Sequence, residues 1–227
     1  MTDVTLTSQH EPARLWMVRH GQTDWNVAGR IQGHTPTHLN EVGRQQAAEL
    51  GRYFSAKPFK AIYASDLPRA YETAEIIGKG LGLEVVRRAG LRERALGLCE
   101  GKTTAEVADV RKSVQASGAG DLADWTGVEG VEPDEVLWQR LGAELEWIST
   151  RHAGEDVLVV SHGGVIRQMV WETLGIKRGH RRRFALSNGI TLVVEIRKDG
   201  PFLLSLVDMA LLVDHRVTLD TATAGTR

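Results

Sequence analysis

The sequence predicts an α/β fold, a three-layer α/β/α sandwich around a mostly parallel central sheet. Three observations point there. Short apolar runs alternate with longer stretches of helical periodicity. Three of those runs stop at polar clusters that contain glycine or proline: RHG (19–21), SDLP (65–68) and SHGG (161–164). The chain has 227 residues, 42% of them hydrophobic and 25% charged, which suits one buried core rather than a disordered, collagenous or polytopic membrane protein. Residues 1–227 therefore read as a single domain, with a polar, lid-like insertion at about 100–133.

The elements follow in order. LWMV (15–18) is a buried strand punctuated by Gly21. Asn40 caps an amphipathic helix to about Ser55, with Val42, Ala47, Ala48, Leu50, Tyr53 and Phe54 as its apolar positions. AIYAS (61–65) is a second strand, after which Asp66 and Pro68 start the helix of RAYETAEIIGKGLG. LEVVRR (83–88) is a third strand. Residues 100–133 are rich in Gly, Ala, Ser, Thr and Asp, and read as short helices over the sheet edge or a mobile lid. A long helix over about 134–152 carries Val136, Leu137, Leu141, Leu145 and Ile148 at core spacing. DVLVVSHGG (156–164) is the clearest strand, and VIRQMVWETLG is a helix ended by Gly175. ITLVVEIRKDGPFLLSLVD is a hairpin with Asp199-Gly200 as its turn.

Composition narrows the function. Lys and Arg number 28 against 29 Asp and Glu, a net charge of −1 that offers no global attraction for nucleic acid or an anionic membrane. The single Cys99 excludes an internal disulfide framework and a Cys-rich zinc site, and reads as a small core residue. Residues 1–14 lack the basic start and apolar run of a signal peptide, and the apolar stretch 202–213 is too short to span a bilayer and contains Asp208. A cytoplasmic protein is expected, with neither nucleic acid nor membrane as partner.

The chemistry lies at the strand ends. In open α/β sheets ligands bind beyond the carboxyl ends of strands. Arg19, His20, Arg69 and His162 all fall there, so one pocket can receive two imidazoles and two guanidiniums. Guanidinium forks match the oxygens of a tetrahedral dianion, and glycines beside each His would let the backbone approach a ligand. A neutral imidazole is a nucleophile near neutral pH, and phosphoryl transfer needs cations around the equatorial oxygens. This set suits a phosphohistidine route without a metal or other cofactor. A poor leaving group also needs a proton donor. Glu93 is the candidate, with Glu100 its competitor.

VRHGQTDWN (18–26), SDLPRAYETA (65–74), LRERALGLCEG (91–101) and SHGGVIR (161–167) together resemble the histidine phosphatase superfamily, in its phosphoglycerate mutase-like branch. The resemblance runs from about Leu15 to Glu195 in the family's order. It implies that His20 is the phosphorylated nucleophile, Arg19 and Arg69 phosphate ligands, and His162 the second pocket histidine. It implies Glu93 as proton donor and later base, Asn26 as a phosphoryl contact, and Gln32 and Gly33 at the substrate mouth. GVEP (130–133) replaces the family's GGES-like segment and receives no role. The short separation of Glu93 and His162, and SHGGVIR itself, favour a phosphatase.

The expectation is thus a metal-independent, acid-type histidine phosphatase acting on a small phosphorylated metabolite, phosphosugar or phosphoglycerate-like. A mutase that returns the phosphoryl group to a sugar acid and an inactive phosphate-binding module stay open as alternatives. Oligomeric state stays open too, a dimer included. Trp25 is expected to wall the pocket and Trp125 to meet the rest of the substrate; His34 and His38 are expected near the mouth. The basic run KRGHRRR (177–183) reads as a solvated loop or a positive rim that draws anions.

Overall fold

The structure is a computed structural model that describes residues 11–116, 127–176 and 185–208. Trp125 and the basic run 177–183 lie outside the described residues. The strands are β1 (Arg14–Arg19), β2 (Ala61–Ala64), β3 (Val85–Arg87), β4 (Asp156–Ser161), β5 (Thr191–Arg197) and β6 (Gly200–Val207). They form one sheet in the order β3-β2-β4-β1-β5-β6. The first four run parallel, and β5 and β6 are antiparallel to their neighbours. The helices are α1 (Asp24–Val27), α2 (Glu41–Phe54), α3 (Pro68–Leu81), α4 (Thr104–Ala116), α5 (Asp134–Arg151) and α6 (Gly163–Thr173).

Strand alternation makes the layers, because successive side chains point to opposite faces. Leu15, Met17, Val157, Val159, Leu192 and Val194 meet α5 and α6 through Leu137, Leu141, Leu145, Ile148, Ile166 and Met169. Val18, Ile62, Leu158 and Val160 meet α2 and α3 through Leu50, Phe54, Ala70, Ala74 and Ile77. The expected three-layer sandwich with a mostly parallel sheet is what these two cores build.

Four local readings need correction. Val42 and Tyr53 of α2, and Val136 of α5, stand exposed, because Gly43, Gly51 and Leu137 take the inward positions. Asp66 does not cap α3. Leu67 occupies that position without a side-chain cap, Pro68 opens the helix with its preset φ, and Asp66 accepts from the Arg92 guanidinium. The hairpin turn is Lys198-Asp199, since Arg197 pairs with Gly200, whose φ of 121° opens β6. The described part of 100–133 centres on α4, anchored by a small core of Cys99, Val107 and Val128. Cys99 is the core residue expected. Among the described residues, no helix is long and apolar enough to cross a membrane.

The two faces of α5 should respond differently to truncation. Leu141→Ala, at 0% exposure, should cost about 2–5 kcal/mol in urea unfolding. Val136→Ala, at 48% exposure, should stay within about 0.5 kcal/mol. Equal losses would contradict this packing.

Candidate active site

Register places the polar clusters side by side. Arg19 of β1 pairs with Ser161 of β4, and Ala64 of β2 pairs with Val160. The ladders run one residue further, with the His20 amide donating to the Ser161 carbonyl (3.0 Å) and the Ser65 amide to the Val160 carbonyl (3.0 Å). Arg19, Ser161 and Ser65 therefore form one row across three parallel strands. Just beyond it the rings of His20 and His162 lie 5.3 Å apart, inclined at 61°.

The hydrogen bonds of His20 fix its chemistry. Its Nδ1 sits 2.7 Å from the Gly21 carbonyl, which can only accept, so Nδ1 carries the proton. The lone pair of the neutral ring is then on Nε2, where Arg69 Nε donates at 3.2 Å. Burial first, then the charges of Arg69 and Arg19, hold the His20 pKa well below the usual 6.5, against the pull of the Gly21 bond. His162 is also fully buried and lowered, by burial first and then by Arg69 and His20. Its Nε2 lies 2.8 Å from Ser65 Oγ, and its buried Nδ1 has no hydrogen-bond partner among the described residues.

Arg69 is only 1% exposed. It donates to the carbonyls of Thr35 (3.0 Å) and Gly33 (2.8 Å) and to Thr37 Oγ1 (3.3 Å). Burial chiefly pushes its pKa down to about 10, which leaves it charged at neutral pH. Arg19 donates to the Leu186 carbonyl and lies against the start of α6, where a Cβ on Gly163 would come within 3.1 Å of its Nε.

Glu93 reaches the same helix end. Its carboxyl oxygens accept the Gly164 amide (2.9 Å) and the Arg94 amide (2.9 Å) at the N-terminus of α6. A Cβ on Gly164 would collide with that carboxylate, and one on Gly21 would come within 2.5 Å of the Gly43 carbonyl. The glycines beside the histidines thus admit protein groups of the site and its frame at positions where a Cβ would collide.

Structure separates the remaining candidates. The Asn26 side-chain carbonyl accepts from the Thr23 amide (3.1 Å), closing the capping box of α1. It reaches the site through Asn188, whose Nδ2 donates both to it (3.3 Å) and to the His20 carbonyl (2.9 Å). Gln32 Oε1 accepts from Thr37 Oγ1 (2.6 Å), and Gly33 contributes its carbonyl to Arg69. Both therefore belong to the loop behind Arg69. The Trp25 ring lies over Gly101, where a Cβ would meet it at 3.4 Å. His34 donates from Nε2 to the Glu93 carbonyl (2.8 Å), and His38 stands exposed beside Glu72.

Two residues went unnoticed in the sequence. Arg140 donates to the carbonyls of Gly90 (3.0 Å), Arg92 (2.9 Å) and Glu93 (2.8 Å), and pairs with both carboxylate oxygens of Glu132. GVEP therefore supplies the carboxylate that orients the clamp on the Glu93 segment. Asn188 precedes β5, and an antiparallel strand brings its beginning, not its end, to the active edge. The signal was the Ser-Asn-Gly punctuation ahead of that strand.

The two buried imidazoles make a stability prediction. Their folded-state pKa values are lowered, so below pH 6.5 the unfolded chain takes up protons that the folded chain refuses. Their contribution is whole above 6.5 and is lost as pH falls toward the lowered values. The urea midpoint should therefore drop between about pH 7.5 and about pH 5.5, and a His20→Gln/His162→Gln double variant should drop less. An equal drop in both would contradict this.

Known proteins are similar to this chain in sequence and fold. Residues 15–209 match the histidine phosphatase superfamily (branch 1). The chain is 39% identical over 159 residues to phosphoglycerate mutase-like protein 4 of Arabidopsis thaliana, covering 69% of each chain. It is 37% identical over 161 residues to the metal-independent phosphoserine phosphatase of the same plant, covering 70% of this chain and 68% of that one. Its fold superposes on the mycobacterial glucosyl-3-phosphoglycerate phosphatase complexed with VO3 with a TM-score of 0.73 at 28% identity, over 86% of this chain and 98% of that one. The aligned strand ends, the four motifs and this match together place the chain in the histidine phosphatase superfamily.

Proposed function

We propose that the chain is a metal-independent phosphomonoester hydrolase that works through a phosphohistidine on small phosphorylated metabolites, phosphosugars or phosphoglycerate-like esters. The observation that carries this reading is the tautomer of His20: an unprotonated Nε2, approached by Arg69 Nε, in a buried ring beside two guanidiniums. In the first step Nε2 attacks phosphorus, the N–P bond forms, and the P–O ester bond breaks. The departing oxygen takes a proton from Glu93 and leaves as an alcohol. In the second step Glu93 takes a proton from water as its oxygen attacks phosphorus, and the N–P electron pair returns to Nε2. Two accessible displacements replace one difficult one.

The other groups stabilise charge. Arg19 and Arg69 face the equatorial oxygens with fixed positive charge, which is where such catalysis gains most. His162, with Ser65 on Nε2, offers its buried Nδ1 as a donor to the same oxygens. Asn26 offers its amide group, its carbonyl being held by Thr23 and Asn188. The names of the relatives support a small phosphorylated substrate, phosphoserine and glucosyl-3-phosphoglycerate among their substrates. The short span between Glu93 and His162 supports release to water rather than return to a sugar acid.

His20→Ala should abolish turnover. Glu93→Gln should slow alkyl phosphates by about 10²–10⁴-fold and p-nitrophenyl phosphate far less, because an aryl oxide leaves without protonation. Equal losses on both substrates would remove Glu93 as proton donor. Activity should survive EDTA, and 3-phosphoglycerate with a trace of its bisphosphate should yield inorganic phosphate rather than its isomer. Metal-restored activity or isomerisation would overturn the reading.

A further inference from the structure

Residues 100–103 lie alongside residues 30–31. The Gly101 amide donates to the Ile31 carbonyl (2.8 Å), the Ile31 amide donates to the Lys102 carbonyl (2.9 Å), and Arg30 bridges to Thr103. This pairing brings the Glu100 carboxylate against loop 33–37. Oε1 accepts the amides of His34 (2.9 Å) and Leu96 (3.0 Å), and Oε2 accepts Thr35 Oγ1 (2.8 Å). The fit is close enough that a Cβ on Gly33, whose φ is +49°, would collide with Oε1. The same loop presents the Gly33 and Thr35 carbonyls and Thr37 Oγ1 to Arg69, and through His34 it reaches the Glu93 carbonyl.

We propose that Glu100 is a positioning residue of the anion site: it fixes the loop whose oxygens aim Arg69 at His20 Nε2. The inference rests on the phosphoryl-transfer reading above. Its physical content is a separation of tasks. Among the described residues the hydrogen-bond partners of Arg69 are neutral, three backbone or hydroxyl oxygens of the loop and the His20 ring. A carboxylate paired with Arg69 would aim it equally well and would neutralise the charge that a dianion needs. Glu100 instead aims the guanidinium through the loop, one step removed, so that its charge reaches Arg69 only weakly and no carboxylate is hydrogen-bonded to the guanidinium among the described residues. The choice between Glu93 and Glu100 resolves accordingly. Glu93 stands at the helix N-terminus beside His162, and Glu100 behind Arg69.

The test compares wild type with Glu100→Ala and Glu100→Gln. Orthovanadate and inorganic phosphate inhibition are measured with kcat/KM on an aryl and an alkyl phosphate. Glu100→Ala should weaken oxyanion binding and lower kcat/KM by about ten- to a hundredfold, a loss typical of a small misplacement, and by the same factor on both substrates. Glu100→Gln, which keeps one oxygen acceptor, should recover part of this and decides the matter if the alanine variant fails to fold. Gly33→Ala should reproduce the loss. Oxyanion affinity equal to wild type in Glu100→Ala, or a loss confined to alkyl phosphates, would overturn the proposal. Wild type that binds vanadate and hydrolyses no phosphomonoester would sink the hydrolase reading and leave the anion-site measurement intact.

Discussion

One hydrogen bond, from His20 Nδ1 to the Gly21 carbonyl, governs the chemistry of this site. It selects the tautomer with an unprotonated Nε2, and burial beside two guanidiniums keeps the ring neutral. A protonated His20 would be neither a nucleophile nor a tolerable neighbour for Arg69. The bond forms because β1 ends in register with β4, so the chain turns at Gly21 while its backbone still rests on the Gly43 region of α2. The fold thus sets the protonation state, and the protonation state makes the reaction available.

Charge around this ring is distributed unevenly. Positive groups concentrate at the strand ends, where Arg19 and Arg69 face one space. Four carboxylates of the surrounding frame are paired with arginines: Asp66 with Arg92, Glu132 with Arg140, Glu144 with Arg88 and Asp134 with Arg94. Three of these pairs anchor Arg88, Arg92 and Arg94, around the segment that delivers Glu93, and Arg140 holds the Glu93 carbonyl. Burying Arg69 costs solvation, visible as its pKa near 10, and strong satisfaction by neutral oxygens offsets that cost without cancelling its charge. A dianion entering this space meets preorganised donors instead of reorganising water.

Much of this was legible in the sequence. Alternating apolar runs gave the layers, since period and length are local properties of the text. The strand-end motifs pointed to Arg19, His20, Arg69 and His162, because parallel strands share one carboxyl edge, while Glu93 was singled out by its place after the third strand and by the resemblance of LRERALGLCEG. What stayed hidden depended on partners distant in the chain. Nothing in the helical text around Arg140 announces that it clamps three carbonyls fifty residues upstream. Asn188 arrives on an antiparallel strand, so its position before a strand, not after one, was the informative feature. Val42 and Tyr53 were misread because Gly43 and Gly51 hold inward positions that hydrophobicity alone would give to larger side chains, and Val136 because its neighbour Leu137 takes the inward position. Asn26 was read for its motif, while its carbonyl serves the α1 cap.

The central claim is covalent, and the most direct measurement is rapid-quench trapping of the phosphorylated chain followed by peptide mapping. The account predicts an alkali-stable, acid-labile phosphoryl group on the peptide containing His20, attached at Nε2 and appearing before free phosphate. A chain that turns over substrate with no such adduct, or with the phosphoryl group on a serine or carboxylate, would contradict it.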